Sequence, residues 1–265
     1  MKILVLGDIM GKPGRKAVAH FLPRLKKEHA PDLVIANGEN LAHGKGVTTP
    51  TLTEIYGAGV DVLTGGNHIF EAHGNTLLED PAYRGKLLRP ANYPATLPGQ
   101  GTAKLTLGSQ EVVVLSLLCR VLMKGVEDVE DPFQTFDRIR AAYPKAILVV
   151  DLHGEVSSER NAFGWYVDGR AAAVWGTHTH VPTADERVLP AGTAFQTDVG
   201  MTGFADGVIG VEKEGPIQGF LTGLPPKKEI PEGGNVVLNA LLVTIDETSG
   251  KATKIERIQH YTHVS

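Results

Sequence analysis

The strongest constraint in this chain is a repeated pattern: a short apolar run followed at once by a residue of the type that binds cations. Ile3–Leu6 leads to Asp8, Leu33–Ala36 leads to Glu39 and Asn40, and Val60–Leu63 leads through Gly65 and Gly66 to Asn67 and His68. Ala146–Val150 leads to Asp151 and His153, and Ala171–Trp175 leads to His178 and His180. Short, continuously apolar runs suit strands buried on both faces, the habit of parallel sheets covered by helices. In open sheets of that kind, sites lie outside the carboxyl ends of the strands. Five strands are therefore predicted to deliver their polar residues to one edge. Two adjacent glycines before Asn67 allow a sharp turn and a close approach of backbone to a ligand.

The segments between these runs complete an α/β reading. A helix is predicted over about Pro13–Glu28, with Val18, Phe21, Leu22 and Leu25 on one face, Lys26 and Lys27 near its end, and Pro23 as a kink point. A second helix is expected with Thr49 as its cap and Pro50 in its first turn, ending near Gly57–Gly59. This β-α-β-α-β opening argues for a layered sheet. From Leu87 the character changes. Leu87–Arg89, Ala103–Leu107 and Val112–Leu117 read as strands of a second, partly antiparallel sheet, and Phe133–Ala142 as a helix. Glu186–Val188, Thr193–Gln196, Val236–Val243 and Lys254–Ile258 complete a β-rich second half. Residues 210–235, rich in glycine and holding Pro216, Pro225, Pro226 and Pro231, read as a long ordered loop, a lid or a contact between copies of the chain. Residues 1–265 are expected to form one domain.

Composition excludes several functions. The chain is 42% hydrophobic and 21% charged, with a net charge of -4 and no basic block. A long nucleic acid is therefore not the expected partner, because gripping one means neutralising many phosphates. A small phosphorylated substrate held by metal ions stays open. Cys119 is the lone cysteine, so no intrachain disulfide can form, and its apolar flanks mark it as a core residue. No run approaches ~18 apolar residues, so no membrane span is expected, and Ile3–Leu6 is too short for a signal-peptide core. The default localisation is cytoplasmic. Gly44-Lys45 resembles a phosphate loop, but Gly38 is one residue too far away and Gly46 stands where a hydroxyl residue is needed. No G-x-G-x-x-G follows the first strand, which ranks a dinucleotide-binding enzyme low.

The strand-end residues carry the chemistry. Asp8, Glu39, Asn40, Asn67, His68, His153, His178 and His180 offer carboxylate, amide and imidazole without thiolate, a set suited to manganese, iron or zinc. Without His68, seven groups are too many for one tetrahedral ion and suffice for two bridged by a carboxylate. Two ions ~3.5–4 Å apart form a clamp for displacement at phosphorus. Each residue alone also has a plainer reading: Asp8 as a helix cap, Glu39, Asn40 and Asn67 as turn residues, His153 as a hydrogen-bonded core histidine. Their concentration at strand ends favours the site. In an extended segment residues two apart face the same side, so His178 and His180 can share it. His20, His29, His43, His73, His260 and His263 lack that placement and read as surface or packing residues.

Gly7-Asp8, Gly38-Glu39-Asn40, Gly66-Asn67-His68, His153 and Gly176-Thr177-His178-Thr179-His180 together resemble the ordered motifs of the calcineurin-like metallophosphoesterases. The opening GDIMGKPGR, the NGEN segment, and the later TDVGMTG and FLTGLP segments are similar to the YmdB-like branch, and that resemblance spans nearly the whole chain. Two positions depart from the broad family pattern. Met10 stands where a histidine is usual, and Glu39 where an aspartate is usual, with Asn40 beside it in place of the missing histidine. The resemblance implies a four-layer α/β/β/α sandwich. It implies that Asp8, Glu39, Asn40 and His180 hold one ion and that Glu39, Asn67, His153 and His178 hold the other, with Glu39 bridging. It further implies iron and the hydrolysis of 2',3'-cyclic nucleotides.

The expected activity is thus a dinuclear metal-dependent phosphodiesterase using a metal-bound hydroxide on small nucleotide diesters. His68, beside a ligand but not counted as one, is best placed to protonate the leaving oxygen. Asp151 either orients His153 or is a plain strand-end residue. Asp198 lies in a branch motif without an assigned role. The rival expectation is a regulatory protein that keeps the metals to bind a nucleotide or a partner with little turnover.

Overall fold

The computed structural model describes residues 1–265. The first half runs β1 (Lys2–Leu6), β2 (Asp8–Ile9), α1 (Gly11–His29), β3 (Leu33–Asn37), α2 (Thr49–Ala58), β4 (Val62–Thr64) and α3 (Gly74–Glu79). The middle runs β5 (Thr102–Leu107), β6 (Gln110–Leu118), α4 (Pro132–Ala142), β7 (Ile147–His153), α5 (Ser157–Tyr166) and β8 (Ala173–Thr177). The chain finishes with β9 (Arg187–Val188), β10 (Ala194–Gln196), β11 (Met201–Phe204), α6 (Glu214–Thr222), β12 (Gly234–Asp246) and β13 (Lys251–Val264).

Two sheets stack between two layers of helices. The first has the order β2-β11-β12-β1-β3-β4, with β13 also pairing β12; the second has the order β5-β6-β7-β8-β10-β9. Strand alternation assigns each side chain to a layer. On β1, Leu4 and Leu6 pack with Val18, Leu22 and Leu25 of α1 and with Leu52 and Ile55 of α2. Ile3 and Val5 point the other way, into a core shared with Val112, Val114, Val149 and Trp175 of the second sheet. Beyond that sheet, Val113, Leu115, Leu148 and Val150 pack against Phe136 of α4 and Phe163 of α5. This is the α/β/β/α sandwich that the family resemblance implied. No helix is long and apolar enough to cross a membrane.

Several elements differ from the sequence reading. The β-rich second half divides between the sheets: β9 and β10 lie in the second, and β11 to β13 do not. They join the first, where β12 lies antiparallel to β1 from Lys2↔Thr244 to Leu6↔Ala240. The apolar run of β12 fits either sheet; its alternation sends Leu238, Ala240 and Leu242 to α1 and Leu241, Val243 and Ile245 to the inter-sheet core. Leu87–Arg89 forms only bridges, Leu63 with Leu87 and Leu88 with Gln100. The cap of α2 is Thr48, not Thr49, through a reciprocal capping box with Thr51. Helix α1 begins at Gly11 and runs on past Pro23, which lies on the exposed side where water can satisfy the freed carbonyl. The segment 210–235 is not wholly a loop, because it contains α6.

Candidate metal centre

Strands β1, β3 and β4 run parallel in one sheet, and β7 and β8 run parallel in the other. Their carboxyl ends meet at one rim, and each candidate residue lies at or just past such an end. Gly66 is where the backbone comes closest. A Cβ built there would overlap the His153 ring and the Glu39 carboxylate, so only glycine fits.

The donors fall into two touching groups. Around His153, its Nε2 lies 3.1 Å from Glu39 Oε1, 3.0 Å from His178 Nδ1 and 3.3 Å from Asn67 Oδ1. Around His180, its Nε2 lies 3.4 Å from Asn40 Nδ2 and 3.9 Å from Asp8 Oδ1. Asp8 Oδ1 is also 4.0 Å from His153 Nδ1. That oxygen is buried without a hydrogen-bond partner, while Oδ2 accepts from the His178 backbone N–H at 3.1 Å. His68 stands beside the first group. Its backbone N–H donates to Glu39 Oε2 at 2.9 Å and its ring Nδ1 lies 2.6 Å from Glu71 Oε1.

Each of the three buried or half-buried histidines has its outward nitrogen held from behind. His153 Nδ1 is 2.9 Å from Thr177 Oγ1, and that hydroxyl donates to Asp151 Oδ1 at 2.6 Å. His178 Nε2 is 3.1 Å from Glu155 Oε2. His180 Nδ1 is 3.0 Å from the Ile209 carbonyl. These partners leave Nε2 of His153, Nδ1 of His178 and Nε2 of His180 facing the centre, and the hydrogen-bond network is what assigns those tautomers.

Burial and charge set the protonation of the group. Burial opposes charge on Glu39, but the His153 imidazolium and its hydrogen bond, with help from His68, outweigh it and hold the carboxyl down to about 2. Burial likewise opposes charge on His153, and Glu39, Asp8 and Asp151 overcome it and push the imidazole up to about 9. Burial and the neighbouring His153 charge drop His178 to about 3, so its ring is neutral. Burial raises Asp8 to about 6 against the pull of His180 and His153. Cys119 is buried, and burial raises its thiol, in keeping with a core residue.

Sequence reasoning offered Asp151 as an orienter of His153 and missed most of the other residues that support the site. Asp151 does not touch His153; it acts through Thr177, and Thr64 and Asn37 also donate to it. Asp198 acquires a place. It pairs with buried Arg160 and accepts from the Thr179 hydroxyl at 2.8 Å and the Thr179 N–H at 3.2 Å. The 178–180 segment is not extended as predicted. His178 has φ 105° and His180 φ 67°, a left-handed backbone uncommon outside glycine. Asp198 draws Thr179 away while the two histidines turn inward. Glu71, three residues after His68, carried no pattern that marked it, since one acidic residue near a histidine is commonplace.

Comparisons with known proteins agree with this architecture. The family model described as YmdB-like protein matches residues 4–258. A 2',3'-cyclic-nucleotide 2'-phosphodiesterase from Bacillus subtilis is 42% identical over 97% of this chain and 96% of its own length. The crystal structure of a novel phosphatase from Mycoplasma pneumoniae has a TM-score of 0.92 at 32% identity, covering 98% of this chain and 93% of that one. At 12% identity, a candidate 5'-nucleotidase from Staphylococcus aureus shares the fold alone, with a TM-score of 0.58 over 97% of this chain and 54% of the other. The two stacked sheets, the helices outside them and the match along nearly all of the chain make this protein a member of the YmdB-like family, built on the metallophosphoesterase fold.

Proposed function

We propose that this protein is a metal-dependent phosphodiesterase that hydrolyses 2',3'-cyclic nucleotides, with two ions held on either side of Glu39. The phosphodiesterase class is supported by family membership and by the 42% identical relative. The observation that carries the metal reading is the set of three histidines, each offering one ring nitrogen inward while an acceptor or hydroxyl holds the other. That arrangement is characteristic of metal-ligating imidazoles. The orphaned, buried Asp8 Oδ1 fits a cation as well, because a buried carboxylate oxygen without a donor is otherwise costly.

In this reading Asp8, Asn40 and His180 would hold one ion and Asn67, His153 and His178 the other, with Glu39 contributing to both. Iron is the ion that the family resemblance implies, and manganese or zinc suits the same donors. When bound, the two ions supply Lewis acidity and an activated water for attack at phosphorus. The chain's residues do the rest. Glu39 accepts the His68 N–H, which fixes the start of the turn beside the centre. Glu71 accepts from His68 Nδ1, and Nε2 lies 3.5 Å from the side-chain amide nitrogen of Asn67. His68 then protonates the ribose oxygen as the P–O bond breaks, general-acid work worth roughly 10²–10⁴ in rate.

The test is turnover of 2',3'-cyclic nucleotides, 3',5'-cyclic nucleotides and nucleotide monoesters by one metal-analysed preparation. Two ions per chain with preference for the 2',3'-cyclic diesters is the expected result. Preferred cleavage of monoesters would move the protein to the phosphatases. Tight nucleotide binding without turnover at full metal content would favour the regulatory role.

A further inference from the structure

We propose that the cavity beside the metal centre, under the loop that follows β6, is the nucleobase subsite and that it selects guanine; this rests on the diesterase reading above. The end of β6 adjoins the centre. Leu118 pairs with His153 in register, and the Cys119 N–H donates to the His153 carbonyl at 2.8 Å. The next residue, Arg120, begins the wall of an open cavity of about 520 Å³, within the usual size range for small-molecule sites. A nucleotide whose phosphate sits at the rim therefore has this space next to it.

The lining has the right chemistry for one base. Val121, Met123 and Val126 give an apolar wall, and Val126 is anchored in a small core with Tyr93, Leu118 and Val129. Of the three acidic residues there, two are occupied. Glu159 accepts the backbone N–H groups of Arg120 and Val121 at 2.9 and 3.0 Å. Asp131 caps α4 through the N–H groups of Phe133 and Gln134. The exposed Arg120 guanidinium and the exposed Glu127 carboxylate remain for a ligand. Guanine presents paired acceptors, O6 and N7, on one edge and paired donors, N1–H and the 2-amino group, on the next. A guanidinium fork suits the first pair and a carboxylate the second. Adenine would set its N1 acceptor against Glu127 and its amino group against Arg120, so both contacts would repel.

The experiment compares kcat/KM for guanosine and adenosine 2',3'-cyclic phosphates. It also compares the affinities of guanosine and adenosine 3'-monophosphates by calorimetry, on wild type, Glu127→Gln and Arg120→Met. Bis(p-nitrophenyl) phosphate turnover by wild type reports on the diesterase reading separately, because that substrate has no base. Wild type is expected to favour guanine by roughly tenfold or more in both turnover and binding, and each variant to cut that ratio by roughly tenfold. Equal handling of the two bases by wild type, or variants that weaken both bases equally, overturns the proposal. Guanine-selective binding with no turnover of any diester would sink the diesterase reading and uphold the subsite. Diester turnover with indifference to the base would do the reverse.

Discussion

His153 and the pair His178 and His180 face the same centre from opposite kinds of backbone. His153 is the last residue of β7, fully buried, with its Cα fixed by register to Leu118 on one side and Thr177 on the other. His178 and His180 stand past the end of β8, partly buried, at φ 105° and 67°. Sheet hydrogen bonds hold the first as a by-product of the fold. The second pair sits in sparsely populated backbone, costing on the order of 1–3 kcal/mol per residue, and needs a dedicated anchor in Asp198 and Arg160. The floor of the site should therefore be robust and its rim dependent on a few polar contacts.

The harshest test of the floor is Glu39→Ala. It should abolish turnover and strip both ions, because under the proposed reading Glu39 would contribute to both groups. It should also destabilise the metal-free fold by about 3–5 kcal/mol, since it leaves a buried, charged His153 unpaired. Elemental analysis showing both ions retained would remove the bridging assignment. His68→Gln comes next. Nucleotide turnover should fall roughly 10²–10⁴-fold, or about 2.7–5.4 kcal/mol of barrier, with metals kept. A p-nitrophenyl diester, whose leaving group needs little protonation, should lose far less. Equal losses on both substrates would make His68 a positioning group.

Asp198→Asn tests the rim. It removes the charge that pairs Arg160 and holds Thr179, and should weaken metal binding roughly 10–100-fold, the usual cost of losing an outer partner. The His180 ion should go first, because the floor still holds the other through Glu39 and His153. Simultaneous loss of both ions would erase the distinction between floor and rim. Thr177→Val is the matching change on the floor. It cuts the link from Asp151 to His153 and should cost about tenfold in activity, the low end of the same range, because β7 still fixes the histidine. A loss larger than that of Asp198→Asn, read on the same substrate, would reverse the comparison.

A pH dependence probes the floor without any substitution. His153 is raised from 6.5 to about 9 in the metal-free centre, so its contribution to stability is full below 6.5 and lost as pH rises through about 9. Glu39 is depressed from 4.5 to about 2, so its contribution is full above 4.5 and lost as pH falls through about 2. A cation must displace the His153 proton. Metal loading near neutral pH should release that proton, and affinity should climb by up to about tenfold per pH unit until pH 9. Calorimetry in buffers of different ionisation enthalpy reads the release directly, and its absence would exclude His153 Nε2 as a ligand.

The donors were legible in the sequence because each follows its own apolar run: Asp8 after Ile3–Leu6, Glu39 after Leu33–Ala36, His153 at the end of its strand. Strand, turn and glycine are local properties, and Gly66 announced the close approach that its missing Cβ permits. Continuous apolar runs likewise gave most of the strands. The sheet to which β12 belongs was not legible, because an apolar run buried on both faces satisfies either sheet and only pairing energies with β1 decide. Nor were the roles of Glu71, Thr177 and Asp198. Apart from the three-residue step from His68 to Glu71, these contacts join positions 19 to 38 residues apart, as Thr179 with Asp198, His153 with Thr177 and Arg160 with Asp198. The left-handed turns at His178 and His180 belong to the same class, since their strain is tolerable only where a distant buried carboxylate holds the loop. Local pattern thus named the candidate residues that the fold gathers at one rim, and long-range packing chose which nitrogen each histidine turns inward, because a tautomer is set by the partner on the far side of the ring.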